Sequence, residues 1–386
     1  MESLIRGRIR KLMEPEEWRY ARLWRGADRA ARRAFSRGEV VAPPFYQVLL
    51  SVNNVCNFHC VSCDVGVDPE GQYSRNLHPE GGQAQLSYAE FTGLLDSVKS
   101  FRPELFIVGT EPTLYPRLVD FLAHARGAGL RTQFTTNGWL LGNLAEDLVR
   151  IRHNLVNVSI DCGVPEINDK VRGKQGALAK ALDGIRALTE SKRTRRSLYP
   201  LIQVNSVVSD YTYEHLVDTV RALEDLEIDV LCFSHLQCIT PGMAEANNRA
   251  VPQYPALRSN ITEVHPDRVD IATLRAQVRA VRETFPHLKI SFRPDVPETE
   301  LERYYHRPGE VLDHFRSCDI LWRNIEIMSN GDALPIQRCF VKPLGNIRQK
   351  TAMEIWNDRP WQELRAAIVR HGGAFPACTR CSGLWC

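Results

Sequence analysis

The sequence predicts an α/β fold: a parallel sheet with helical crossovers, an N-terminal helical segment and a small α+β module at the C-terminus. Three observations carry this. Between residues 46 and 235, short β-rich runs alternate with helical stretches, the pattern of parallel strands joined by right-handed crossovers. The 386-residue length suits one sheet domain of that size with appendages. Eight of the eleven cysteines fall into two groups, one just after the first β-rich run and one in the last seventy residues.

The elements follow in order. Residues 1–45 form a basic helical segment. Up to residue 38 there are 11 Lys and Arg against 5 Asp and Glu, with Leu4, Ile5, Ile9, Leu12, Trp18, Leu23 and Trp24 interleaved as in an amphipathic helix. It reads as a helix packed on the domain with a solvated basic face, or as one lying on a membrane surface. Residues 46–235 hold the strand-like runs 46–52, 104–109, 130–136, 155–161, 201–208 and 228–234. Helical stretches at 87–101, 115–128, 142–152, 175–190 and 212–226 separate them. Beyond 235 the alternation is expected to stop. A Pro-rich connector with one helix near 270–284 fills 236–310, and 311–386 holds a hairpin near 322–336, a helical stretch at 352–370 and a cysteine-rich tail. In parallel sheets the chemistry gathers at the C-terminal strand ends.

Composition narrows the function. A net charge of +3 over this length does not point to nucleic acid. No apolar run approaches the roughly 18 residues of a membrane span, and the first residues lack the core of a secretory signal, so a cytoplasmic protein is expected. Cysteine stays well below the roughly 8–10% of a disulfide scaffold. In a reducing compartment, clustered cysteines bind metal or do redox chemistry.

The first group is Cys56-x3-Cys60-x2-Cys63. Three thiolates on one loop can grip three irons of a four-iron cluster and leave the fourth without a protein ligand. A structural zinc site would normally use four ligands. Further motifs follow at successive strand ends: Gly109-Thr110-Glu111-Pro112, then Thr136-Asn137-Gly138, then Ser159-Ile160-Asp161 with Asp169-Lys170-Val171-Arg172-Gly173, then Asn205. In this order, over roughly 46–235, the chain resembles the radical S-adenosylmethionine (SAM) superfamily.

The resemblance implies a partial (β/α)6 TIM-like barrel in which Cys56, Cys60 and Cys63 hold a 4Fe-4S cluster. It implies that SAM chelates the open iron and is cleaved reductively to a 5′-deoxyadenosyl radical that abstracts a substrate hydrogen, the protein supplying placement. Gly109, Thr110 and Glu111 would hold the methionyl ammonium. Asn137, Ser159, Asp161, Arg172 and Asn205 would serve the rest of the cofactor, with Arg172 on its carboxylate. Taken alone, Glu111 or Arg172 is equally a surface ion-pair partner. Two positions depart from the family: Ser62 stands where an aromatic or large apolar residue usually packs on adenine, and Thr110 replaces a glycine. Asp64 reads as a structural neighbour of the cluster. An external reductant such as flavodoxin or ferredoxin is implied.

The second group is Cys318 and Cys339 around the hairpin, then Cys378-x2-Cys381, with Cys386 as a possible further ligand. Four cysteines can enclose a cluster completely, and they also suit a zinc ribbon. Beside the first set they resemble the twitch module, the shorter relative of the SPASM domain, implying one auxiliary 4Fe-4S cluster that takes an electron from a substrate radical.

Three further residues are catalytic candidates. Cys162 could return a hydrogen atom, as in an epimerase, or be a small buried turn residue. His235 and Cys238, after the sixth run, could be a base and a thiol, or structural. Trp322, Trp356, Trp361 and Trp385 read as core. The leading expectation is an oxidoreductase acting on a small polyol or sugar-like metabolite. The alternatives are a peptide maturase, for which the 45 residues ahead of the first strand lack a β-rich recognition domain, a redox-neutral epimerase or dehydratase, and a zinc-binding adaptor.

Overall fold

The computed structural model describes residues 15–79, 81–286, 288–314, 317–381 and 383. The first part of the basic segment, Trp385 and Cys386 lie outside these. Helix α1 (Pro15–Ser36) precedes strand β1 (Gln47–Leu50). Strands β2 (Glu104–Ile107), β3 (Thr132–Thr136), β4 (Leu155–Ser159), β5 (Leu201–Val208) and β6 (Val230–His235) follow, each pairing in parallel with the one before. They match the six expected runs. Such strands are covered on both faces, so they read as near-continuous apolar stretches. In β4, every residue from Leu155 to Val158 is buried. The crossover helices are amphipathic. The helix at Leu141–Arg150 buries Leu141, Ala145, Leu148 and Val149 and turns Asp147 and Arg150 outward as an ion pair. Leu148→Ala would remove a fully buried side chain at a cost of about 2–5 kcal/mol.

Two features extend the sheet beyond the expected six strands. The alternation does not stop at 235: the helix at Ile271–Thr284 leads to β7 (Ile290–Arg293), which pairs in parallel with β6. The hairpin of β8 (Asn324–Ile327) and β9 (Ala333–Leu334) joins the same sheet, β8 running parallel to β1. The order is β7-β6-β5-β4-β3-β2-β1-β8-β9. The C-terminal module is thus built onto the β1 edge.

A second contact locks that junction. Arg365 lies among Trp322, Trp356 and Trp361, all fully buried as expected of core residues, its guanidinium 4.3 Å from the Trp356 ring centre. It donates to the Leu321 and Val40 carbonyls at 2.9 and 3.0 Å. Trp322 and Trp356 donate to the carbonyls of Glu39 and Pro43 at 2.7 and 2.8 Å. The segment before β1 is therefore clamped to the C-terminal module. No helix of the described residues is long and apolar enough to cross a membrane.

Candidate active site and cysteine groups

The loop carrying Cys56, Cys60 and Cys63 leaves β1 and crosses the C-terminal strand ends. Backbone contacts fix it against the end of the helix at Pro165–Arg172: Val61 N–H donates to Val171 O at 3.0 Å, and the Cys60 thiol donates to Arg172 O at 3.5 Å. Gly173, left-handed at φ +60°, allows this approach, since a Cβ there would come within 2.1 Å of the His59 carbonyl. Asp64 anchors the far end as a structural residue, accepting from Tyr73 N–H, the Ser259 hydroxyl and Asn260 N–H at 3.0, 2.7 and 2.6 Å. Burial pushes the Cys56 thiol up to about 11 and Cys60 to about 12, and raises Cys63. All three thiols line one cavity, and the charge of Cys63 adds to the rise of Cys56 and Cys60. Such a set is costly as free thiolates and suited to a cationic cluster.

The loop lines a cavity of about 280 Å³, near the lower end of small-molecule sites. Gly109, Thr110 and Glu111 line it after β2. Gly109 has φ +111°, and a Cβ there would lie 2.6 Å from Ser51 Oγ. The Thr110 hydroxyl donates to the Asn53 carbonyl at 3.0 Å, so the departure from glycine ties the β2 turn to the loop after β1. Glu111 is buried. Its Oε1 accepts from Thr113 N–H, the Thr113 hydroxyl and the Thr136 hydroxyl at 3.1, 2.6 and 2.7 Å. Its Oε2 accepts from Asn137 N–H at 2.7 Å and keeps lone-pair capacity for another donor. Burial raises this carboxyl while those donors oppose the rise.

Asn137 lines the cavity and donates to Asn57 Oδ1 at 2.8 Å, bracing β3 against the cysteine loop. Ser159 and Arg172 line it as well. Asp161 does not; it is buried beneath, accepting from Arg172 Nη1 at 3.2 Å and Val207 N–H at 3.0 Å. It therefore holds Arg172, whose buried Nε has no partner. Asn205 is likewise not among the described residues that line the cavity; its amide oxygen accepts from Gln203 at 2.7 Å.

Of the catalytic candidates, the structure brings only His235 to the cavity. Its Nδ1 is paired with the Tyr305 hydroxyl at 2.7 Å, and burial, with the charge of Arg282, lowers it to about 3. Cys162 is fully buried in the turn after β4, its sulfur accepting from Val164 N–H at 3.4 Å, and burial raises it to about 11. Cys238 is buried near Arg380, and burial pushes it up to about 12.

Sequence reasoning missed several lining residues. Phe58 belongs to the cysteine loop, packs edge-on to Trp139 and has the Arg172 guanidinium 5.7 Å from its ring centre. An aromatic between the first two cysteines was the available signal. Tyr73, Asn260, Gln337 and Arg338 arrive from distant segments. The Tyr73 hydroxyl and Asn260 Oδ1 are buried without a hydrogen-bond partner, a condition that costs about 1–3 kcal/mol per group unless a ligand or water meets it.

The second group converges too. Burial raises Cys318 and Cys339 well above the usual thiol value, and the charges of the other cysteines of the set push in the same direction. Burial lifts Cys378 to about 12, with Cys381 next in effect. Every cysteine among the described residues is free. Arg380, inside Cys378-x2-Cys381, donates to five carbonyls: Tyr304, Arg303, Arg307, Glu310 and Thr379, at 2.7, 2.8, 2.6, 2.9 and 2.8 Å. Three of these close the helix at Leu301–His306, whose terminal carbonyls favour a cation. Between the two groups lies Glu326 on β8, fully buried and accepting from Gln337 N–H at 2.8 Å; burial raises it to about 8. Among the described residues no three His, Cys, Asp or Glu side chains gather to hold a single metal ion; in a cubane cluster the thiolates meet separate irons.

Two family models match the chain: the radical SAM superfamily over residues 50–223, and SPASM, an iron-sulfur cluster-binding domain, over 318–382. Fe-coproporphyrin III synthase of Methanosarcina barkeri is 29% identical over 352 residues, which cover 87% of this chain and 80% of that protein. The tungsten-containing aldehyde ferredoxin oxidoreductase cofactor-modifying protein of Pyrococcus furiosus is 22% identical, covering 86% of each. Among solved structures, Streptococcus suis SuiB bound to its precursor peptide SuiA superposes with a TM-score of 0.61 at 16% identity, over 93% of this chain and 80% of that one. That likeness is one of fold.

Proposed function

Because the chain is a radical SAM superfamily enzyme with a C-terminal SPASM iron-sulfur domain, we propose that it oxidises a small polyol- or sugar-like metabolite by two electrons. The radical SAM domain binds a 4Fe-4S cluster and SAM, and the SPASM domain binds auxiliary iron-sulfur. In this reading Cys56, Cys60 and Cys63 hold the first cluster, while Cys318, Cys339, Cys378 and Cys381 hold one auxiliary cluster. When bound, the first cluster and SAM supply a carbon radical able to remove hydrogen from an unactivated C–H bond. The chain's own residues bind and orient. Glu111 Oε2 receives the methionyl ammonium, and Arg172, held by Asp161, offers its free Nε to the carboxylate. Phe58 supplies an apolar ring that Ser62 cannot. His235 stays neutral and serves as a hydrogen-bond partner, since a base with a pKa of about 3 is too weak to take an alcohol proton efficiently at neutral pH. The substrate would lose a hydrogen atom, then one electron toward the C-terminal module and its hydroxyl proton to water. An external flavodoxin or ferredoxin is the proposed donor of the electron that the first cluster needs.

The observation that carries this reading is that one cavity is lined both by the first three cysteines and by Gln337 and Arg338, the residues just before Cys339. A substrate there would sit beside the first cysteine group and against the segment that leads into Cys339. Lining groups that the proposed cofactor contacts leave unused, Tyr73, Asn260 and Arg338, support a polar substrate. A second reading, on a tetrapyrrole, is favoured by the relative named Fe-coproporphyrin III synthase, which aligns over most of both chains.

The test is the iron, sulfide and zinc content of anaerobically reconstituted protein beside a Cys56/Cys60/Cys63→Ala triple variant. Two 4Fe-4S clusters give about eight irons in the first and about four in the second. About four and almost none would remove the auxiliary cluster and the oxidative step. With two clusters in hand, 5′-deoxyadenosine release during incubation with polyols, aminocyclitols or an iron tetrapyrrole precursor, with Fe-coproporphyrin III as the product sought in the last, separates the substrate readings.

A further inference from the structure

The cavity holds polar groups that the proposed cofactor contacts do not use. Arg338, half-buried, lines it with its guanidinium 5.3 Å from the ring centre of Tyr73. Among the described residues no carboxylate lies within 4.0 Å of that guanidinium. Cys63 and Glu326 are acidic groups that feel its charge; Glu326 takes its hydrogen bond from Gln337 N–H, and the Gln337 amide faces the same carboxyl. Glu111, the one carboxylate among the described lining residues, is engaged by four donors from Thr113, Thr136 and Asn137. Tyr73, 2% exposed, presents a hydroxyl with no partner, and Asn260, 4% exposed, an amide oxygen with none. Asn260 Nδ2 is already committed to the Gln237 carbonyl at 3.0 Å, so its free atom is an acceptor. The cavity therefore offers one cation without a carboxylate partner, one hydroxyl and one acceptor.

We propose that Arg338, Tyr73 and Asn260 form a substrate subsite for an anionic polyol, with a carboxylate or phosphate ester on the Arg338 guanidinium and neighbouring hydroxyls on Tyr73 and Asn260 Oδ1. This deepens the small-metabolite reading above and rests on it. Arginine suits the task because its planar fork meets either anion through two parallel hydrogen bonds. The acceptor on Asn260 takes a hydroxyl proton, and the Tyr73 hydroxyl gives or takes one. Arg338 and Tyr73 line the same cavity as Cys56, Cys60 and Cys63, and the Arg338 charge acts on Cys63, so an anion held there is fixed beside the first cysteine group.

The experiment is a saturation-transfer NMR titration of the cluster-loaded, SAM-bound enzyme with gluconate, sorbitol 6-phosphate and neutral sorbitol. Wild type should bind at least one anion about ten-fold or more tightly than sorbitol. The preferred anion identifies the source as carboxylate or phosphate. Arg338→Gln should bring anion and sorbitol within about two-fold of each other, and Tyr73→Phe should weaken all three. Should Arg338→Gln fail to take up iron, Arg338→Lys keeps the charge near Cys63 but loses the fork, and should weaken the anion about five-fold. The proposal is overturned by no anion preference in wild type, by no anion binding at all, or by a preference that survives substitution of Arg338. A shifted cluster potential in Arg338→Gln with no anion preference in wild type also overturns it and assigns Arg338 to thiolate charge. Reductive SAM cleavage by wild type tests the underlying reading separately, because the titrations need no turnover.

Discussion

The two cysteine groups are assembled on opposite plans. The first draws three thiols from eight consecutive residues of one loop, held by backbone contacts to 171–173 and open to a cavity. The second draws Cys318, Cys339, Cys378 and Cys381 from segments more than sixty residues apart in total span. A strand pair, a tryptophan-caged arginine and the carbonyl clamp of Arg380 bring them together. On the proposed reading, a ligand set that leaves one position free can be written locally. One that closes around its contents needs the chain to return from several directions. Damage at the first should therefore appear in binding and chemistry, and damage at the second in folding.

The largest effect that can break this contrast is expected from Arg380→Met. It leaves five carbonyls without their buried donor, and losing such a network costs about 3–5 kcal/mol. Iron content should fall from about eight to about four with the C-terminal module loosened, seen as protease cleavage beyond residue 300. If instead both clusters persist and the protein stays protease-resistant, the second group does not depend on the clamp.

Glu111→Gln sharpens the other side. Oε1 and Oε2 accept four hydrogen bonds from the β2 and β3 turns, and an amide loses both the charge and one acceptor. SAM affinity should drop about ten- to a hundred-fold, by about 1.4–2.8 kcal/mol, while stability falls by about 1–3 kcal/mol, because the amide nitrogen faces a buried donor, and the protein stays folded. A variant that unfolds with unchanged SAM affinity would make Glu111 a structural residue.

How much of this contrast can be read from sequence follows from the same difference in locality. The six barrel strands are legible because fully covered parallel strands are unbroken apolar runs. The seventh, Ile290-Ser291-Phe292-Arg293, is four residues with one apolar face and gives no such run. The pairing of β8 with β1 joins residues some 277 apart and has no local signal. At the site, Cys56, Cys60, Cys63 and Glu111 are legible because one loop or one strand end places each of them. Asn205 lies on the right strand and on the face of Val207, which lines the cavity, but two residues earlier and so one layer deeper. Tyr73, Asn260 and Arg338 meet only through tertiary packing, and no spacing announces them.

The two regions also titrate in opposite senses. His235 at the cavity is held down to about 3 by burial, so an unfolded chain takes up a proton near pH 6.5 that the folded one refuses. Its contribution to stability is lost as pH falls below about 6.5. Glu326 beside the second group is raised to about 8 from an ordinary 4.5. The folded protein keeps that proton while the unfolded chain has released it, so stability falls as pH rises from about 4.5 to 8, by up to about 1.4 kcal/mol per unit. Between pH 6.5 and 8, where His235 no longer contributes, wild type should therefore lose up to about 2 kcal/mol relative to Glu326→Gln in guanidinium midpoints. Parallel curves would mean that Glu326 is ionised in the folded protein.

The smallest effect is expected at Cys162, where the contrast between open and closed thiols meets a residue belonging to neither group. Hydrogen-atom return to a substrate radical needs a thiol that reaches the cavity. The Cys162 sulfur is instead fully buried, accepting from Val164 N–H at 3.4 Å in a turn whose Gly163 N–H is bound by the Thr219 hydroxyl at 3.0 Å. Cys162→Ala should cost about 1 kcal/mol of stability from one lost buried atom and change the rate of product formation by less than about two-fold, near the 0.4 kcal/mol that such a ratio represents. Deuterium from solvent should then be absent from product in both proteins. Solvent deuterium in the wild-type product, lost together with turnover in Cys162→Ala, would show that the turn after β4 opens during the reaction. The enzyme would then be a redox-neutral epimerase in which this third kind of cysteine, buried at rest, supplies the hydrogen.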